Sequence, residues 1–172
     1  MPLYEVCDKK PIIGDKTWIA PSAEIIGDVK IGKNCYIGFG AIIRGDIGPI
    51  IIGDETVIEE NVVIHAGSNT IIENRVIIGH MVMIHDTLIK DHALIGMMSM
   101  ICDDSVIGSW SILAEKSLVR KKQEIPSGRI YGGSPARKIG QLEKKHKEYL
   151  INGHQIYLDL IAQYHNTFKR ID

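Results

Sequence analysis

Residues 89–125 read IKDHALIGMMSMICDDSVIGSWSILAEKSLVRKKQEI, and the spacing of their aliphatic residues decides the fold. Stepping by six from Ile89 meets Ile95, Ile101, Ile107, Leu113, Val119 and Ile125. Outward from this stretch, the same step links Ile19, Ile25, Ile31, Ile37 and Ile43. After a slip of three it resumes at Ile52, Ile58 and Ile64, and after a slip of two at Ile72, Ile78 and Ile84. One residue is dropped before Ile89. All eighteen stations are aliphatic and sixteen are isoleucine. Double aliphatics in the middle third also admit a register shifted by one. Glycine after the station, as in Ile31-Gly32, Ile52-Gly53, Ile78-Gly79 and Ile95-Gly96, selects this one. The residue two before a station is often small: Ala23, Cys35, Ala41, Ala93, Ser99, Ser105, Ser111, Ser117.

A period of six is neither that of a helix nor that of a plain strand. It fits short strands with a turn after each, three hexads closing one triangular coil of eighteen residues. The aliphatics then stack inside, and the backbone pairs with the coils above and below. The fold class is therefore mainly β, a parallel β-helix of hexapeptide repeats over about residues 12–133. The slips at 44–51 and 65–71 read as outward loops. After Ile125-Pro126 the connector SGRIYGGSPAR has the glycines and prolines of a turn. From about residue 136 the spacing of Ile139, Leu142, Tyr149, Leu150, Ile156, Tyr157, Leu160, Ile161, Tyr164 and Phe168 becomes helical. It predicts a C-terminal α-helical part in two segments, about 136–151 and 154–170, broken at Asn152-Gly153. Lys144, Lys145 and Lys147 read as a solvated helix face.

Composition agrees with one domain over residues 1–172. The formal net charge is −1, which argues against a nucleic-acid or membrane-surface partner held mainly by charge. Thirty-two isoleucines against 6% aromatics favour strands over a helical bundle. No apolar run approaches the length that crosses a bilayer, and MPLYEVCDKKPIIG lacks the apolar stretch of a signal peptide. Cys7, Cys35 and Cys102 have neither metal-site nor redox-motif spacing, and read as free thiols in a reducing cytoplasm.

Of seven histidines, three carry the chemistry. His65 follows station Ile64 and His85 follows station Ile84, twenty residues on, one coil of eighteen plus the two inserted. The two imidazoles should therefore leave the same edge, one above the other, about 4.8 Å apart. Two rings so placed can converge on one metal ion. Arg44 follows Ile43 and should occupy the same column one coil below. His80, two past Ile78, points away from that column, so one chain supplies two ligands in one place and a third elsewhere. A three-fold assembly joins them, and three histidines with an open fourth position are the pattern of a catalytic zinc site. A lone outward histidine on a solenoid is ordinarily a polar surface residue, and His92, His146, His154 and His165 read that way.

The stretches IIRGDIGPIIIGDETVIEENVVIHAG, VIIGHMVMIHDTLIKDHALIGM, YGGSPARKI and IYLDLIAQY resemble the γ-class carbonic anhydrases and their close homologues. These include the branch of the phenylacetate-pathway thioesterase and carnitine-operon-type proteins. The resemblance covers nearly the whole chain and implies a left-handed β-helix. It also implies a homotrimer with a zinc or ferrous ion at each interface, held by His65, His80 and His85. Arg44 and Asp46 would form ion pairs across that interface. Glu59 stands where the family usually has a glutamine beside the metal-bound water, and would orient that water or accept its proton. Tyr157 matches a tyrosine of the C-terminal helix that lines the site.

Two departures bear on catalysis. The segment after the first histidine, AGSNT, lacks the acidic proton-shuttle loop of the best-characterised members, and Ile47 stands where they carry an acid. The leading expectation is a γ-carbonic-anhydrase-like metalloenzyme hydrating CO2 to bicarbonate through a metal-bound hydroxide, with proton transfer limiting. A second is an acyl-CoA thioesterase or hexapeptide acyltransferase. A third is a non-catalytic metal-binding trimer.

Overall fold

In the computed structural model, which describes residues 3–172, all eighteen stations fall into three columns of parallel register. Ile25, Ile43, Ile64, Ile84, Ile101 and Val119 form the first. Ile31, Ile52, Ile72, Ile89, Ile107 and Ile125 form the second. Ile19, Ile37, Ile58, Ile78, Ile95 and Leu113 form the third. Every station is buried, so the core is a stack of branched side chains enclosed by a left-handed solenoid of about seven turns. Small residues two before the stations are buried as well, where the chain folds inward. The hydroxyls of Ser105, Ser111 and Ser117 donate there to the carbonyls of Cys102, Gly108 and Ala114, whereas the equivalent Thr70 hydroxyl is buried without a partner among the described residues.

The slip at 44–51 is not a loop. It lies within the eleven-residue strand Ile42–Ile52, which turns a corner while still paired with Glu24–Ile31 across a bulge at Gly27. A Cβ at Gly27 would lie 2.5 Å from the Gly45 carbonyl oxygen, and the φ of Gly27 is +77°. Glycine therefore lets the two backbones stay in contact around the bend. The inserted residues instead push Ile47 outward, 65% exposed. The slip at 65–71 is a short bend at Gly67-Ser68 between Val63–His65 and Thr70–Ile72.

The C-terminal part differs from the helical expectation at two points. Residues 136–143 are not helical: Arg129–Gly132 and Arg137–Gln141 form an antiparallel hairpin. A single helix, α1, then spans Lys144–Thr167 without a break at Asn152-Gly153. The helical spacing starts too early because Ile139 lies within a strand and Leu142 just after it, three residues on. The glycine costs about 1 kcal/mol, which the packing of Tyr157, Leu158, Ile161 and Tyr164 on the prism outweighs.

The helix α1 lies along one corner of the prism. There Lys16, Asn34, Glu55, Arg75, His92 and Trp110 all have φ between +52° and +59° on successive coils. His165 Nε2–H donates to the Lys16 carbonyl at 3.1 Å, and His154 Nε2–H to that of Glu55 at 2.6 Å. Lys147 Nζ sits 5.0 Å above Trp110, whose ring stacks on His92 at 4.0 Å. The helix thus descends as the coils ascend. These histidines and Lys147 fasten helix to prism and are more than solvated surface. At the lower end Trp18, Tyr36, Tyr164 and Phe168 pack ring on ring. Among the described residues no helix is long and apolar enough to cross a membrane.

Candidate metal centre

Residues after the first-column stations project from one edge. The register pairs Arg44 with His65 and His65 with His85, and the two imidazole centroids are 5.1 Å apart with planes tilted 57°. The stacking expected from the coil count is present. Arg44 Nη1 donates to Asp46 Oδ2 at 2.6 Å within the same chain, and Asp46 Oδ1 lies 3.2 Å from His65 Nε2. Burial pushes the Asp46 carboxyl up, but hydrogen bonds from Arg44 and His65 outweigh it, and its pKa falls below the ordinary value. An ionised Asp46 therefore links the guanidinium to the imidazole.

On the coil above, Asp103 Oδ1 lies 2.8 Å from His85 Nδ1, and this hydrogen bond lowers the Asp103 pKa. Asp86 Oδ2 is 3.5 Å from the same nitrogen. Its other oxygen accepts the backbone N–H groups of Ser68 and Asn69 at 2.9 and 3.0 Å, and so holds the bend after His65.

His80 stands at a different corner, following the third-column station Ile78. Its Nε2 lies 3.0 Å from Glu59 Oε2 and its Nδ1 2.8 Å from Glu60 Oε2. Glu59 is 8% exposed; it also accepts the His80 backbone N–H at 2.9 Å and the Tyr157 hydroxyl at 2.6 Å. Glu60 accepts the Tyr36 hydroxyl at 2.8 Å. Burial, then the facing carboxylates, push both phenols well above the ordinary tyrosine range.

The seven residues singled out in the sequence thus separate into two groups within one chain. Arg44, Asp46, His65 and His85 form one, and Glu59, His80 and Tyr157 the other. Sequence reasoning missed Tyr36, Glu60, Asp86 and Asp103, all of which touch these groups. The coil count leads to the neighbourhood of Asp103: the ladder Ile84 to Ile101 sets Cys102 above His85 and Asp103 one residue further on, above Asp86.

Stacked imidazoles beside carboxylates are a donor set that suits a borderline divalent ion such as zinc or iron(II). His85, Asp86 and Asp103 offer ligand atoms within 4.8 Å of one another, yet Asp86 is committed to the backbone of the bend. The residues present fit a metal through the histidines, with the acids behind them.

Fold and repeat together define a hexapeptide-repeat protein, and the family described as bacterial transferase hexapeptide (six repeats) matches residues 10–45. A carbonic anhydrase of Geobacillus kaustophilus is 35% identical over 171 residues, covering 94% of this chain and 93% of its own. The mitochondrial gamma carbonic anhydrase 2 of Arabidopsis thaliana is 34% identical over 183 residues and 99% of this chain, which spans 66% of that protein's length. Among solved structures, a Bacillus cereus protein described as an acetyltransferase superposes with a TM-score of 0.93 at 34% identity, over 94% of this chain and 95% of its own. The chain belongs to the γ-carbonic-anhydrase family of hexapeptide-repeat proteins.

Proposed function

We propose that this chain is a γ-carbonic-anhydrase-type metalloenzyme that hydrates CO2 reversibly to bicarbonate as a homotrimer. In this reading His65 and His85 of one copy and His80 of a neighbouring copy hold a zinc or ferrous ion. The observation that carries it is the division of the histidines: two stacked 5.1 Å apart at one corner, the third at another beside Glu59 and Tyr157. The exposed face beside the stacked pair supports the assembly. Ile42, Val63, Met83, Met100 and Leu118 form an outward column there, and Met83 and Met100 are 40% and 49% exposed. An apolar stripe of this kind is a surface that a second copy covers.

The bound ion would supply Lewis-acid activation of water at neutral pH. The chain's own residues orient and hold. Arg44 and ionised Asp46 fix His65, while Glu59 takes both the backbone N–H and the ring of His80. With Tyr157 on its remaining oxygen, Glu59 has protein partners at both oxygens and acts as a positioning carboxylate. No acid lies in residues 66–70, so the proton leaves slowly.

Elemental analysis of anaerobically purified protein, followed by stopped-flow CO2 hydration with and without imidazole buffer, tests this reading. One metal per chain and a rate raised by imidazole are expected. A metal-loaded trimer without hydration in either buffer refutes the enzyme and leaves a non-catalytic metal-binding assembly.

A second reading has its own observation. A cavity of about 340 Å³ between α1 and the prism, lined by Ile77, Leu94, Leu150, Ile156 and Tyr157, ends at Glu59. CO2 needs no such room, whereas an acyl chain does. His80→Ala separates the two: loss of metal with intact acyl transfer from a CoA thioester favours the transferase.

A further inference from the structure

We infer that Asp103 is a positioning residue for the metal centre: by accepting the Nδ1–H of His85 it sets the tautomer that turns a free Nε2 lone pair toward the ion. A carboxylate can only accept a hydrogen bond, so the 2.8 Å contact between Asp103 Oδ1 and His85 Nδ1 requires the proton on Nδ1. A neutral imidazole carries one N–H, and Nε2 is then the unprotonated nitrogen. In water the preference runs the other way, toward Nε2–H, so this tautomer must be imposed. Asp86, at 3.5 Å, is the competing acceptor, but its Oδ1 is held by the Ser68 and Asn69 amides. Asp103 has no such duty: among the described residues its second oxygen meets only the exposed Lys121 ammonium, at 3.6 Å. His65 and His80 differ, since each faces a carboxylate through Nε2. Among the described residues, His85 is therefore the one of the three whose Nε2 is not paired with a carboxylate.

The solenoid makes this possible without any loop. Asp103 comes from the coil above His85, eighteen residues on, and the backbone ladder Met83–Ile84 to Met100–Ile101 fixes its height. A carboxylate behind a histidine ligand fixes ring orientation, and its loss typically weakens metal affinity about 10–100-fold.

The inference rests on the proposed function for its metal arm alone, and the experiment separates the two. Ring-nitrogen NMR of metal-free, histidine-labelled wild-type protein above the histidine titration range, with His85 assigned by comparison with His85→Gln, should show a protonated Nδ1. Asp103→Ala should return His85 to the Nε2–H form and weaken zinc about 10–100-fold in chelator competition. Asp103→Asn, whose amide oxygen still accepts, should restore much of both. An Nε2–H tautomer in the wild type overturns the inference, however tightly zinc binds. So does unchanged zinc affinity in Asp103→Ala with a shifted tautomer. The expected tautomers in protein that takes up no zinc support Asp103 as the acceptor and count against the proposed function only.

Discussion

Glu59 and Tyr157 lie 98 residues apart in the chain, yet the hydroxyl donates to the carboxylate at 2.6 Å with the acid almost enclosed. Removing the donor leaves a charged, buried oxygen without its partner. Tyr157→Phe should cost about 1–3 kcal/mol, read as a lower urea midpoint at unchanged slope. The same pair governs alkaline behaviour. Burial and the facing carboxylate hold Tyr157 protonated in the folded state, while in the unfolded chain it ionises near its ordinary value of about 10. The raised folded-state pKa stabilises below that pH, and the gain is lost as pH rises beyond it, because the unfolded state then binds fewer protons. Tyr157→Phe should flatten the alkaline limb of a stability–pH curve; a limb as steep as that of the wild type would speak against the buried phenol as its source. At this scale the sequence was only half legible. Resemblance pointed to Glu59 and Tyr157 separately, but neither their contact nor the anchoring of Glu60 by Tyr36 follows from spacing, because both depend on where α1 docks.

The strands and α1 were legible to different degrees for a physical reason. A strand coil repeats, so eighteen stations check one another, and the register was recoverable without knowing where any side chain points. A helix docked on one face offers no such redundancy, and the spacing misplaces both the start of α1 and its passage through Asn152-Gly153. Among the described residues, no atom outside its own helix backbone lies within 4 Å of the position a Cβ would take at Gly153. Gly153→Ala should therefore stabilise the protein by up to about 1 kcal/mol, checked by thermal melting; a lower melting temperature would mean the helix needs its glycine. In the columns, Ile84 is fully buried between Ile64 and Ile101. Ile84→Ala should cost about 2–5 kcal/mol in denaturant unfolding, and should also loosen the edge that carries His85.

Across the whole molecule, the sequence disclosed that the histidines fall into two groups, since His65 and His85 share a column and His80 does not. It did not disclose the acids behind them, because nothing in the repeat marks an outward acid on the coil above as facing a ring below. The apolar stripe of Met83 and Met100 belongs to this scale as well. Under the proposed assembly, charges placed there should separate the copies: Met83→Glu with Met100→Glu is then expected to sediment as a monomer and to lose metal while keeping its far-ultraviolet spectrum. A double variant that remains trimeric would place the interface elsewhere. The terminal hairpin has a consequence of its own. Its Gly133 carbonyl accepts from Leu118 N–H, and Ala136 N–H donates to the Leu118 carbonyl, so it lies across the last rung and uses up hydrogen-bonding groups that a further rung would need. A chain trimmed after residue 125 would present bare strand ends to solution, and its copies would be prone to polymerise end to end into filaments.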